Sequence, residues 1–465
     1  MTVVLAAVLL VLALPVTASA HRFSASHAFS AMLMSPMDFN EVTGAGYVAT
    51  KNMHPLGFSQ RLPGAGFSRI NSDLAFWGSY AFQGSYSGFR ILDISQPDNP
   101  TVVTEFGNCT NGLGQGDLVV WDNVMSRSVD AAAPAGGATC GPDPAGNLAQ
   151  GEEGLHIFDI STLGNPVVKK FVDLPCGSHT ASGVPDVANN RLLIYSTPSS
   201  GACDWVDIVE VPLDDPAAAK KIGQANSIDG IACHDTGVIL GDAMLASCAG
   251  GVGYAVWSLG GARGGSLTSP KLLYTKNMQT EEGVNVNTGH SAAFTWDGQT
   301  LIFGHEPNGG TQPRCQKTGT PLPSGTYPVQ TDDMKSFFFF DALSGERLGK
   351  WTLPRDQTAA ENCTLHNYNI VPTTNGRDIL VHGSYQSGIG VLDFTDPANA
   401  KELAYADPQN AVPLGGDWSS HWYDGRIYES DIARGFMVWD VSGNATAGAL
   451  NLGHLNPQTQ EFTID

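Results

Sequence analysis

Seven short segments of this 465-residue chain repeat one pattern, an apolar run that ends in a polar residue. They are "GFRILDIS" (from Gly88), "GLHIFDIS" (Gly154), "WVDIVEVP" (Trp205), "GYAVWSL" (Gly253), "SFFFFDAL" (Ser336), "GIGVLDFT" (Gly388) and "GFMVWDVS" (Gly435). The closing polar residues, Asp93, Asp159, Glu210, Ser258, Asp341, Asp393 and Asp440, are separated by 66, 51, 48, 83, 52 and 47 positions. The four short intervals define a unit of about fifty residues, within the period of stacked repeat architectures. Such a unit cannot bury its apolar face alone, so its neighbours must cover it.

Within a unit the pattern is short strands between turns. The sixth reads "NYNIVP", turn "TTNG", "DILVHGS", "GIGVLDF", turn "TDPANA", "KELAYA". Four strand-length runs with regular turn signals and almost no helical periodicity predict an all-β chain. Seven such units close most simply into a ring, which leaves only short strand edges. The expected fold is therefore a seven-bladed β-propeller with four antiparallel strands per blade. The marker carboxylates fit a structural role, capping the turn into the fourth strand. With 42% hydrophobic and 15% charged residues, the composition is that of a large folded core. A net charge of -21 argues against nucleic acid, whose phosphates need clustered Lys and Arg.

"GFRILDISQPDNPTVV", "GLHIFDISTLGNPVV" and "GIGVLDFTDPANAKELAYA" resemble the LVIVD repeats of secreted bacterial propellers. The resemblance extends over the seven segments and implies a fold, not an activity. Blades 3 and 4 depart from it, with Glu210 and Ser258 in place of the marker Asp. "GHSAAFTWDGQTLIFG" in blade 5 also resembles a WD-repeat unit, in which the GH histidine belongs to a structural hydrogen-bond network.

The first twenty residues, "MTVVLAAVLLVLALPVTASA", read as a secretory signal cut after Ala20, although no Lys or Arg precedes the apolar run. An uncleaved anchor is the alternative. Residues 21–40 form an N-terminal leader and 41–465 the propeller, with no later run long enough to span a membrane. Ring closure needs a terminal strand, and the stretch ending "QEFTID" is a candidate for it.

Eight cysteines in an exported chain imply disulfides, and the blade register narrows the possible pairings. Cys109, Cys176 and Cys363 fall in connections from a fourth strand to the next first strand, with Cys233 where a first strand begins. Cys140, Cys203 and Cys315 fall between second and third strands, with Cys248 near the end of a second strand. All eight map to one rim, and pairing in order gives Cys109–Cys140, Cys176–Cys203, Cys233–Cys248 and Cys315–Cys363. Two long insertions, Asp130–Glu153 and Glu306–Lys335, map to the same rim and suggest a ligand or partner surface there.

Four histidines also begin first strands on this rim: His179, His234, His290 and His366. In blade 7 Asp417 takes the equivalent place with His421 further along; Asn71 and Asp117 fall nearby in blades 1 and 2, and His305 and His382 end second strands. Repeats duplicate structural residues, so backbone-bonding histidines are the conservative reading. The sharper one is a transition metal (Zn, Cu or Fe) near the propeller axis, since neutral imidazole suits all three; direct contact with a substrate is a third. "HEPNGG" after His305 and "YESD" (Tyr428–Asp431) add carboxylates, which at a rim are usually solvated. No G-x-S-x-G, H-E-x-x-H or phosphate-loop motif is present. The expectation is a secreted scaffold that binds a protein or small molecule through its disulfide-stapled face. The alternative is a metal-dependent oxidoreductase or hydrolase with an axial multi-histidine site.

Overall fold

Each repeat segment is the third strand of its own antiparallel sheet, and there are seven sheets. The computed structural model describes residues 47–464 except 62–69, 108, 110–113, 200, 202, 228–230, 287, 307–331, 356–360, 363 and 409–414. The expected signal, the leader, Cys315, Cys363 and most of the blade 5 insertion lie outside the described residues.

The third strands are mostly apolar because neighbouring blades cover both of their faces. Gly88–Asp93, Gly154–Asp159 and Ser336–Asp341 are buried at every position but the last. Fourth strands lie outermost, and Thr101–Phe106 is mostly exposed. The apolar core is accordingly divided into seven main clusters, one at each blade interface. At the interface of blades 4 and 5, for example, Ile239, Tyr254 and Val256 pack on Phe294, Phe303 and Phe340.

The glycine that opens several repeat segments is a steric necessity. Gly88, Gly154 and Gly435 have φ of 153–154°, and a Cβ at Gly88 would lie 1.7 Å from the Phe106 carbonyl oxygen. Only glycine holds that backbone so close to the fourth strand. At the other end of the segment, Asp93, Asp159 and Asp393 accept the backbone N–H two residues on, at 2.8, 3.0 and 3.1 Å. The marker carboxylate thus closes an Asx turn. Glu210 instead pairs with Arg191 at 2.7 Å, and Ser258 donates to the Gly264 carbonyl at 2.7 Å.

Ring closure differs from the expectation. The strand Met53–Gln60, near the N-terminus, is the fourth strand of blade 7, antiparallel to Gly435–Val441. Tyr47–Ala49 adds a fifth strand outside blade 6. The C-terminal stretch instead crosses the channel. His454–Leu455 pairs with the inner strand of blade 1 and Thr459–Gln460 with that of blade 4. Between and beside them, Asn456 bonds Val120 of blade 2, Thr459 bonds Gly183 of blade 3 and Gln460 bonds Phe294 of blade 5. Inner strands have one hydrogen-bonding edge turned to the channel with no further strand to pair it. The tail supplies partners for five of the seven.

One short α-helix, Met278–Glu281, is present among the described residues, and none of their helices is long and apolar enough to cross a membrane.

Candidate metal centre at the channel mouth

The tail binds the far ends of the inner strands, so the other end of the channel is its mouth. His179 precedes the first strand of blade 3, His234 and His290 are second residues of theirs, and His366 precedes that of blade 6. The four rings form an unbroken arc, with centre-to-centre steps of 4.3, 4.2 and 4.3 Å. All four are buried.

A backbone irregularity aims two of them, His234 and His290. Registers shift between Cys233 and Asp235, between Gly289 and Ser291, and between Asp417 and Ser419. His234, His290 and Trp418 each occupy the extra position of such a β-bulge. Bulges re-aim side chains and break the two-residue alternation of a strand. That is why His234 and its neighbour Asp235 can both border one cavity.

The partners of the rings assign their tautomers. His179 Nδ1 lies 3.0 Å from Asp130 Oδ2, and His234 Nδ1 lies 3.0 Å from Asp235 Oδ1. His290 Nδ1 lies 2.5 Å from Ser291 Oγ, whose hydroxyl in turn donates to Asp235 Oδ2 at 3.2 Å. His366 Nδ1 lies 2.6 Å from the Trp418 carbonyl oxygen. Carboxylates and carbonyls only accept, and the Ser291 proton is already committed, so Nδ1 is the donor in all four rings. In each neutral ring Nε2 therefore carries the lone pair.

The outcome is an arrangement of facing acceptors. His179 Nε2 is 2.9 Å from His234 Nε2, and His366 Nε2 is 3.5 Å from Glu306 Oε1. Two lone pairs at such distances repel unless a proton or a metal ion lies between them. His234, Asp235 and His290 have potential ligand atoms within 4.8 Å of one another, as do His290, Glu306 and His366.

The cavity beside the arc takes residues from every blade and from the tail. Asp73, Asp117, Thr180, Asp235, His290, His366, Trp418 and Gln458 are among its walls. It offers a water-sized centre about 10 Å³ of free volume, room for one water or ion. Burial pushes Asp235 up to about 6, with nearby Asp73 adding to it, and burial with Asp73 and Asp235 raises Asp117 well above the carboxylate range. Burial also opposes charge on Asp73, yet His421, 2.8 Å away, and the Leu74 N–H hold it below its ordinary value. Three carboxylates around so small a space favour a cationic occupant.

The remaining expected positions divide clearly. Cys109–Cys140, Cys176–Cys203 and Cys233–Cys248 are bonded. Two of these bridges adjoin one end of the arc, since Cys176 lies three residues before His179 and Cys233 adjoins His234. His305, bonded to the Asp333 carbonyl, and His382, bonded to Ser384, stand apart from the arc. Asp417 accepts from Ser420, and Asn71 donates to the Asp431 carbonyl. Glu306 corrects an expectation: it is fully buried, not a solvated rim carboxylate, and accepts a short hydrogen bond from Tyr385. Asp130 and Glu306 open the two insertions, so both loops begin with a carboxylate set against the arc. Asp235 carries no signal in the sequence although it follows His234 directly, because strict alternation would turn it away.

The family model for the LVIVD repeat matches residues 68–110, which form most of blade 1. No curated protein matches the chain. The chain is a seven-bladed β-propeller that carries an LVIVD repeat.

Proposed function

We propose that this protein is a metal-binding propeller that holds a divalent transition-metal ion at the mouth of its channel, on the disulfide-bonded face. The observation that carries this reading is the common tautomer of the arc. Metal-ligating histidines ordinarily give their other N–H to a carboxylate, a carbonyl or a similar acceptor, which fixes the ring and raises its basicity. All four rings here have such a partner and turn Nε2 toward the arc. His179 and His234 are the pair whose lone pairs meet most closely.

Cavity size separates binding from turnover. Sites for organic ligands enclose roughly 300–1,000 Å³, whereas the described walls leave about 10 Å³. A space of that size suits ions or water better than an organic ligand, which supports a binding role. Three disulfides favour an oxidising compartment outside the cytoplasm, in keeping with an exported protein whose stapled face meets a ligand or partner there.

The test is elemental analysis of protein purified without an affinity tag, beside a His179→Ala/His234→Ala variant of unchanged circular dichroism. The expected result is stoichiometric transition metal, lost at least in part in the variant. Metal-free protein that also takes up no Zn(II), Cu(II) or Fe(II) on dialysis overturns the proposal, and leaves a shared proton between the rings.

A further inference from the structure

The candidate ligand atoms of the arc fall into two groups, His234 with Asp235 and His290, and His290 with Glu306 and His366, each within 4.8 Å. Only His290 is common to both. Resting on the metal-binding reading above, we propose a second transition-metal site in the same mouth, made by His290, Glu306 and His366.

Its geometry is independent of the His179–His234 pair. The ligand atoms of the three residues lie within 4.8 Å of one another, and all three side chains are buried. His366 gives its Nδ1 proton to the Trp418 carbonyl, so Nε2 turns its lone pair to Glu306 Oε1 at 3.5 Å. Between a neutral imidazole and a carboxylate both of these atoms are acceptors, so a proton or a bound cation must join them, and a cation would do so with His290 alongside. His290, with Nδ1 committed to Ser291, has one lone pair and serves one ion. Its place beside Glu306 and His366 leaves His179 and His234 to hold the other ion, with open positions for water.

The surroundings orient these ligands. Tyr385 donates to Glu306 Oε1, and its ring lies 4.4 Å from that of His366. Tyr385 also has φ of 48°, a left-handed backbone that a bulky residue adopts only under constraint. Its amide donates to the Asp417 carbonyl, its carbonyl accepts from the Asp417 and Gly388 amides, and together they hold it there. Strain of this kind is characteristic of functional sites. Tyr385 is a positioning residue: it fixes which oxygen of Glu306 faces His366.

Zn(II) uptake by equilibrium dialysis tests the proposal on the whole chain. The wild type is expected to bind two equivalents, and Glu306→Gln one, with the second weakened at least tenfold. The His179→Ala/His234→Ala variant is expected to keep the ion that Glu306→Gln loses. One equivalent in the wild type, or two in Glu306→Gln, overturns the second site and leaves the first standing. No uptake by the wild type overturns both. A Co(II) titration of the unmodified protein, followed by its visible absorption, gives the same decision without a variant: a break at two equivalents supports the pair of sites, and a break at one refutes it.

Discussion

The C-terminal tail can be tested through a single side chain. Asn456 is 3% exposed and bonds both backbone groups of one residue of blade 2: its Nδ2 donates to the Val120 carbonyl at 2.9 Å, and its Oδ1 accepts from the Val120 N–H at 2.9 Å. Val120 is fully buried, so Asn456→Ala leaves a buried donor and a buried acceptor without their partner. An unsatisfied buried polar group costs about 1–3 kcal/mol, so the pair predicts a loss of about 2–6 kcal/mol. Asn456→Asp sets a buried carboxylate oxygen against the Val120 carbonyl, and should cost at least as much as Asn456→Ala at neutral pH. Guanidinium unfolding followed by tryptophan fluorescence measures both. Amide exchange adds a local readout: the Val238 and Leu240 N–H groups donate to Gln458 and Gln460 of the tail at 2.9 and 2.8 Å, and should exchange faster in the variant. If Asn456→Ala costs under ~0.5 kcal/mol and leaves those amides protected, the tail is an ornament and not a plug.

Three further outcomes follow from the blades themselves. Burial first, and then the neighbouring Asp431, raise Glu429 to about 8, although Trp439 donates to it at 2.8 Å and Tyr47 at 3.3 Å. Because the folded state then holds a proton that the unfolded chain releases near pH 4.5, this group lowers stability as pH rises from about 4.5 to 8, and no further above it. Glu429→Gln should flatten that part of a stability–pH curve and gain a few kcal/mol at pH 8; an unchanged slope counts against the buried, protonated carboxyl. Replacing Cys233 and Cys248 together by serine opens a loop of sequence separation 15 and should cost about 3 kcal/mol, read as a lower denaturation midpoint. Gly88→Ala sets a Cβ 1.7 Å from the Phe106 oxygen at a φ of 154°, so expression should yield little folded protein, and normal yield and melting would contradict the steric account.

The architecture was legible because it is written seven times. A third strand covered on both faces is mostly apolar, and runs such as "FFFF" (Phe337–Phe340) leave few other choices. The thiols and imidazoles could be gathered onto one rim for the same reason: in a repeat, position within the unit is position in space. Features outside the repeat were not legible. Strand Met53–Gln60 contains Pro55 and Gly57 and alternates poorly, so nothing local marks it as the strand that closes blade 7. The tail bonds largely through backbone and amide groups of Asn456, Gln458 and Gln460, which have no strand signature. The roles of Asp235 and Glu306 depend on the bulge at His234 and on the burial of Glu306, and neither leaves a periodic signal.

The bulges also show how a structural repeat can become a site. Duplicated blades place one residue type at equivalent points round the axis, which on its own yields seven backbone-bonding side chains. Here the equivalent positions have diverged. Blades 3 to 6 carry imidazoles, blade 7 carries Asp417 and Trp418, and blades 1 and 2 contribute Asp73 and Asp117 to the cavity. A purely structural histidine would need only one satisfied nitrogen and would gain nothing from a neighbour's lone pair at 2.9 Å. Four rings in one tautomer, three of the four given an acceptor side chain, impose an electrostatic cost that each blade could avoid separately. A cation bound at the mouth, as proposed, would remove that shared cost, and the tail, which pairs with the opposite ends of the inner strands, leaves the mouth as its way in.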